Sequence, residues 1–502
     1  MTPIPLLLPN PRQVYLRAGV FSLPADGMID IQPRHHSQLH ITVERFRSQL
    51  EDQLGLDWRL LAEEEDLAAP GLRLRLAPEL APQPQGYRLS IRREGIEVYA
   101  HDPAGAFYAV CTLNHLVQQY GCELPVMDIV DWPDFPVRGV MLDISRDKVY
   151  RTETLMELVD RLASWKVNQL QLYTEHTFAY SQHRTVWENA SPMTAEEIRS
   201  LDRYCQERFI ELVPNQNTFG HMERWLGHER YAHLAETHDW FQTPWGPLKG
   251  PFSLQPDHPE SFELVTGLFD ELLPNFASRL FNVGCDETLD VGQGKTRERV
   301  AAESLGRVYL DFLLRIYQEV HRRGYTMQFW GDILTQEPHL AAELPRDVVA
   351  LLWGYEADHP FETEAAAFAA AGVPFYVCPG TSAWCSLAGR TDNCLVNIRN
   401  AAVHGLKHGA IGLLNTDWGD RGHWQHLPVS WLGLAYGAAL GWCVAANEAA
   451  DAAALVSQYA FEDPTGVMGR LAYDLGNVYQ ALGVKPPNSS ALFWILQMRL
   501  EA

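Results

Sequence analysis

The 502 residues carry 40 Lys and Arg against 63 Asp and Glu, a formal charge of −23, so a nucleic-acid backbone or an anionic membrane surface would be repelled. With 46% apolar and 21% charged residues the composition is globular, which excludes wholesale disorder, and the length accommodates one large barrel plus a smaller domain. The 8 cysteines are scattered without a C-x-x-C pair, as buried thiols of a reducing compartment are.

In chain order, Ile4-Pro5-Leu6-Leu7-Leu8-Pro9 has neither a basic n-region nor a small-residue cleavage site, so no signal peptide is expected and the location reads as cytoplasmic. Residues 13–17, 72–76, 87–92 and 95–99 alternate between two faces as half-buried strands do, whereas 34–54 and 104–120 space their apolar groups as helices do. Together they predict a small α+β domain over residues 1–133. The run Glu63-Glu64-Glu65-Asp66 within it reads as a solvated segment. Asp131-Trp132-Pro133-Asp134-Phe135-Pro136 then interrupts regular structure, because each proline removes a backbone donor and biases its predecessor toward extended conformations.

From residue 138 onward, short apolar strands alternate with longer helical stretches, the pattern of repeated βα units. Strands are predicted at 139–143, 169–173, 211–214, 280–283, 326–330, 349–353, 375–377 and 410–414. Helices are predicted at 154–166, 195–208, 261–272, 304–323, 362–371, 398–408 and 429–442. Eight such units close into an α/β fold, a (β/α)8 TIM barrel over residues 134–445, with a helical C-terminal extension over 446–502. The stretch from 432 to 446 is too short and too diluted by Gly and Ala to span a membrane.

In such a barrel the reactive groups follow the carboxyl ends of the strands. Those positions here hold Asp143-Ile144-Ser145-Arg146-Asp147, Thr174-Glu175-His176, a loop ending in Phe219-Gly220-His221, Gly284-Cys285-Asp286-Glu287-Thr288, Trp330-Gly331-Asp332, Trp353 and Asn415-Thr416-Asp417-Trp418-Gly419-Asp420. Adjacent carboxylates at a strand end point in different directions, so Asp286 and Glu287 can reach two parts of one bound group. Such a pair also arises by chance in an acidic chain. Its weight comes from the apolar strand and glycine before it and from Trp330, Trp353 and Trp418 at neighbouring strand ends. Indoles pack on the C–H face of a sugar ring while acids handle hydroxyls and protons, so the set points to a sugar-cleaving pocket.

Asn282-Val283-Gly284-Cys285-Asp286-Glu287 resembles the Asp-Glu motif of glycoside hydrolase family 20, the β-N-acetylhexosaminidases. Arg138-Gly139-Val140-Met141-Leu142-Asp143 resembles the family's opening barrel strand. Residues 105–113 and Asp131-Trp132-Pro133 resemble the end of the small domain before that barrel. The resemblance implies a retaining exo-β-N-acetylhexosaminidase that releases terminal N-acetylglucosamine or N-acetylgalactosamine, in which the substrate's own acetamido oxygen attacks the anomeric carbon. Glu287 would be the acid and then the base, Asp286 would hold the acetamide N–H and face the oxazolinium charge, and His221 would orient the acid. For substrate binding the resemblance implies Arg138 on sugar hydroxyls and Trp330, Trp353 and Trp418 around the acetamide. It also implies Tyr376 on the seventh strand and Glu175 as partner of His221, where many members have Asp; a helix cap is the other reading of Glu175. An Asp two residues after the seventh-strand Tyr is replaced here by Cys378, and Asp417 is a candidate substitute. Trp384 and Trp424 would form outer subsites or pin their loops.

His35-His36 and the scattered thiols lack metal-ligand spacing, Cys285 has no His-Asn set beside it, and no phosphate loop or dinucleotide fingerprint occurs. No metal and no cofactor are expected. The expected partner is an oligosaccharide or glycoconjugate with a terminal N-acetylhexosamine, without nucleic acid or membrane insertion, and a homodimer is left open. The competing readings are a barrel glycosidase for a sugar without an acetamido group and a non-catalytic sugar-binding barrel.

Overall fold

Two sheets organise the chain, seen in a computed structural model that describes residues 4–61, 71–332 and 337–498; the acidic run at 63–66 lies outside them. The period-two segments of the first part pair into a seven-stranded mixed sheet in the order Gln13–Ser22, Glu123–Asp131, Tyr87–Arg92, Gly95–Ala100, Leu72–Leu76, Met28–Ile31 and Arg59–Leu60. Helices His36–Leu54 and Pro103–Tyr120 pack against each other, and the second also lies on the sheet. It starts where Asp102 accepts from the Gly105 N–H at 2.8 Å with Pro103 at the first helical position.

The eight predicted barrel strands form one parallel sheet: Val137–Asp143, Gln169–Tyr173, Glu211–Val213, Leu280–Asn282, Thr326–Trp330, Val349–Trp353, Phe375–Cys378 and Gly412–Asp417. The eighth pairs back onto the first, and a single bridge between Asn215 and Asn282 joins the third to the fourth, so the sheet closes on itself. The predicted helices recur with ends displaced by no more than two residues, as fraying ends and caps dictate, except that the helix expected from 398 begins seven residues earlier, at Thr391. The eighth strand runs to Asp417, further than expected, which turns residues 415–417 from loop into ladder. A hairpin of Trp240–Thr243 and Gly246–Lys249, unforeseen because its two arms are only four residues each, rises from the loop after the third strand. No helix among the described residues is long and apolar enough to cross a membrane.

Barrels of this type usually fill with branched aliphatics. Here a middle layer is made of amides: Gln171 donates to Gln169 at 3.2 Å and to Gln328 at 2.8 Å, and accepts from Asn215 at 3.2 Å and Asn282 at 2.9 Å. Gln171 thereby ties Gln169, Gln328, Asn215 and Asn282 into one buried amide cluster beneath the rim.

At the amino-terminal end of the barrel, Asp131 and Lys166 form a buried ion pair at 3.0 Å. Tyr87 and the Trp442 indole donate to the same carboxylate at 2.8 and 2.9 Å, and Lys166 lies 4.2 Å over the Trp442 ring. Arg138 belongs to this end. Its guanidinium donates to the Lys166 and Phe135 carbonyls at 2.8 and 2.9 Å and stacks on Tyr108 and Trp442. The expected sugar-binding role of Arg138 is therefore corrected: as the second residue of its strand it sits at the end opposite the carboxyl-terminal loops, where it joins the small sheet's helix to the barrel floor. Lys166→Met would leave Asp131 buried without its cation and should cost about 3 kcal/mol. Urea unfolding measures this, and adding Asp131→Asn should recover part of the loss.

Candidate active site

Three loops bring Asp286, Glu287 and His221 together. After the fourth strand the chain turns through Gly284, Cys285 and Glu287 at φ +70°, +68° and +46°, a left-handed path that throws successive carboxylates to different sides. A side chain at Gly284 would collide with Asn217 Oδ1. The loop after the third strand places His221, itself at φ +56°, against this turn, and Gly220 permits the approach because a Cβ there would stand 2.3 Å from the Asp286 carbonyl oxygen. His221 Nε2 then lies 3.4 Å from Asp286 Oδ2 and 3.3 Å from Glu287 Oε2. Burial opposes protonation of the imidazole, but the two carboxylates outweigh it and hold His221 well above its ordinary range.

Glu175 is buried and stands 3.9 Å from His221 Nδ1, too far for a hydrogen bond. Its Oε1 accepts from the Tyr173 hydroxyl at 2.9 Å and pairs with Arg146 at 3.2 Å. Burial raises its pKa to about 7 against the pull of Arg146. Glu175 thus stands behind His221, on the side where its partner was expected, and is paired directly with Arg146; no helix begins at it. Asp332, which follows the fifth strand, was not singled out by the sequence. It accepts the Glu287 backbone N–H at 3.2 Å, and burial, with Asp286 and Glu287 beside it, pushes its carboxyl up to about 8.

Arg146 occupies the position the sequence assigned to Arg138. It reaches Asp143 at 3.1 Å and Glu175 at 3.2 Å, with Asp420 at 3.9 Å, and lies 4.7 and 5.1 Å over the rings of Tyr173 and Trp418. Asp143 also accepts the Gly419 N–H at 2.9 Å, joining the loops of the first and eighth strands. The Asp-Ile-Ser-Arg-Asp loop was visible in the sequence. Only the strand's direction shows that its Arg, not Arg138, faces the mouth.

The three predicted tryptophans do converge. Trp330 and Trp418 have ring centroids 5.9 Å apart, Trp353 stacks on Tyr355 at 5.4 Å, and Tyr355 meets Trp384 at 5.2 Å and Trp418 at 6.3 Å. Tyr355, two residues past the sixth strand, was missed because a loop tyrosine carries no periodic signal. Tyr376 is corrected the other way. It is the second residue of its strand, buried with its hydroxyl toward Gln169 and Gln328 in the barrel interior below the rim. Asp417 ends the ladder and, by the period of two, faces away from Trp418. It accepts from Thr381 at 2.6 Å and Ser430 at 2.8 Å, and burial lifts its pKa to about 6, so it braces helix Leu427–Trp442 and does not replace the missing carboxylate.

The C-terminal extension, unreadable in the sequence, supports this wall. Asn488 accepts the Trp384 indole N–H at 3.0 Å and donates its own N–H to Glu356 at 2.7 Å, while Phe493 packs 6.1 Å from Trp424. Trp384 is therefore part of the wall, whereas Trp424 is 57% exposed. Two groups among the described residues hold ligand atoms within 4.8 Å of one another, close enough to share a cation: His221, Asp286 and Glu287, and the surface set His233, His258 and Glu260. In the first, both carboxylates face the same imidazole nitrogen, His221 Nε2, at 3.4 and 3.3 Å. Asp286 Oδ1 is buried without a hydrogen-bond partner among the described residues, as is Trp330 Nε1.

Comparison with known proteins agrees with this architecture. The family model described as glycosyl hydrolase family 20, domain 2, matches residues 5–132, and that of the family 20 catalytic domain matches residues 135–393. Hexosaminidase D of Bos taurus is 28% identical over 213 residues, 41% of this chain and 59% of that protein. Hexosaminidase D of Homo sapiens is 27% identical over 233 residues, 45% of this chain and 46% of that protein, so the chain spans about half the length of these curated relatives. Among solved structures, a Flavobacterium johnsoniae chitobiase superposes with a TM-score of 0.75 at 19% identity, covering 94% of this chain and 73% of that one. The Streptomyces plicatus N-acetyl-β-hexosaminidase superposes at 0.70 with 20% identity, covering 93% and 95%. With a barrel whose mouth holds the Asp286-Glu287 pair and a family match across more than half its length, the chain belongs to glycosyl hydrolase family 20.

Proposed function

We propose that the protein is a retaining exo-β-N-acetylhexosaminidase working by substrate assistance. The observation that carries this reading is the buried, unpartnered Asp286 Oδ1 beside the box of Trp330, Trp353, Tyr355 and Trp418. A lone buried acceptor next to aromatic faces suits an acetamide, whose N–H satisfies the oxygen and whose methyl fills the box. Glu287, the more open of the two acids, donates its proton to the glycosidic oxygen while the acetamido carbonyl oxygen attacks C1 and the leaving group departs. The resulting oxazolinium is cationic, and Asp286 faces it in a water-poor site where a fixed negative charge acts strongly. Water then opens the ring from the vacated face as Glu287 takes its proton, so the anomeric configuration is retained. His221 bridges the two acids, Arg146 takes sugar hydroxyls, and Tyr355 offers its hydroxyl at the level of the wall. The substrate is an oligosaccharide or glycoconjugate ending in an N-acetylhexosamine. The acetamide that Asp286 and the box would hold is common to N-acetylglucosamine and N-acetylgalactosamine.

Glu287→Gln keeps the shape and removes the proton, so kcat on substrates with poor leaving groups should fall by roughly 10²-fold or more, with a smaller first-step loss on activated aryl glycosides. An aryl β-glucoside should be cleaved far more slowly than its N-acetylglucosamine counterpart; comparable rates would overturn substrate assistance. Arg146→Met should lower kcat/KM by roughly 10- to 100-fold, the equivalent of the ~1.5–3 kcal/mol of a charged hydrogen bond, whereas a conservative change at Tyr376 to Phe should leave it nearly unchanged.

The raised carboxyl of Asp332 sets a stability test. Its pKa is about 8 in the folded chain against about 3.9 unfolded, so the folded state keeps a proton that the unfolded state loses. That contribution is full below pH ~4 and disappears as the pH rises toward 8. The melting temperature of Asp332→Asn relative to the unmodified protein should therefore climb steadily between pH 5 and pH 8, as read by thermal unfolding in buffers of equal ionic strength.

A further inference from the structure

The last described helices turn their apolar side to solvent. Helix Val467–Leu475 buries only Gly469, the turn Val478–Leu482 only Tyr479 and helix Ala491–Gln497 only Phe493. Eleven of the twenty-four large apolar side chains exposed among the described residues lie between 467 and 498, Ile495 and Leu496 at 56% and 62%. Polar groups, by contrast, tie this segment to the barrel: Asp392, at the start of helix Thr391–Lys407, accepts from Tyr473, Asn477 and Gln480 at 3.2, 2.9 and 2.8 Å. An amphipathic segment docked by its polar side leaves its apolar side for another surface.

Alongside the exposed side chains runs a groove of about 170 Å³, lined by Val429, Leu432, Phe461, Met468, Leu471 and Leu475. Protruding side chains and an apolar hollow on one face suit a two-fold contact, because each copy offers both halves. Eleven side chains at about half exposure present on the order of 1,000 Å², above the ~800 Å² per partner of a standard interface and the ~300–600 Å² of the largest patch on a typical monomer.

Charge favours the same occupant. Residues 467–498 carry only Arg470, Asp474 and Lys485, and the first two pair with each other at 2.8 Å. In a chain of net charge −23, a stretch of this kind spares two copies the repulsion of their acidic surfaces. A helix lying on a membrane would carry a rim of Lys and Arg, which these residues do not supply.

We propose that the protein pairs with a second copy of itself through this face, in a two-fold contact formed by residues 467–498. The contact bears on the mouth of the barrel, because the same segment sets Asn488 against Trp384 and Phe493 against Trp424, so pairing fixes the brace of the aromatic wall. It does not depend on which sugar the mouth accepts.

Light scattering of the full chain at micromolar concentration should give twice 56.8 kDa. Leu471→Glu and Ile495→Glu each set two acids against each other across the contact and should raise the dimer dissociation constant roughly 100-fold or more. Val484→Glu, in the loop between the turn and the last helix, tests the same face without altering a helix and should do likewise. Circular dichroism reports whether each variant keeps its fold. Val20→Glu, an exposed apolar position in the first strand of the small sheet, should leave the dimer intact. A parent mass other than twice that of the chain, a dimer that survives all three face variants, or one that Val20→Glu dissociates equally would overturn the proposal.

Discussion

Negative charge crowded into a space with few cations is the constraint around which the molecule is built. Asp143, Glu175, Asp286, Glu287, Asp332 and Asp420 gather at the barrel mouth, and Arg146 and His221 are the groups that pair with them. Such a cluster favours two responses: some carboxyls stay protonated, as burial imposes on Glu175 and Asp332, and the remaining field attracts positive charge. For a reaction whose intermediate is cationic, that field is the catalytic asset. An enzyme nucleophile is not required when the attacking oxygen comes with the substrate.

Holding like charges together demands a frame that resists their repulsion. Left-handed turns at Gly284, Cys285, Glu287 and His221 aim the groups, and backbone bonds secure the aim: the Glu287 N–H to Asp332 and the Gly419 N–H to Asp143. Beneath them the amide layer around Gln171 gives the rim a polar floor linked by hydrogen bonds. The C-terminal segment braces the opposite side through Asn488 and Phe493, which explains why a barrel that is already closed carries further helices.

The two ends of the barrel use the same residue types for different ends. At the floor, Arg138 and Lys166 are fully enclosed against Trp442, and their cations are directed at protein carbonyls and Asp131, away from the mouth. At the mouth, Arg146 stacks on Tyr173 and Trp418 but keeps part of its surface open. Charge and aromaticity identify candidates; exposure and direction distinguish a brace from a binding group.

The sequence by itself determined the barrel, its eight strands, the small α+β part before it and the Asp286-Glu287 and tryptophan set, because periodicity and short motifs are local and each βα unit repeats the same pattern. It did not determine which residues of a strand lie at its open end. Arg138 and Tyr376 fall at second positions and sink toward the floor or interior, and Asp417 turns outward because the eighth strand continues three residues beyond its apolar run. Arg146, Asp332, Tyr355 and Asp420 enter the site through loops that have no period to read. The role of the last helices was equally hidden, since Asn488 and Phe493 act on loops more than a hundred and about seventy residues away respectively. Only closure of the barrel, which brings the ends of eight distant strands onto one rim, decides which acids meet and which cation stands between them.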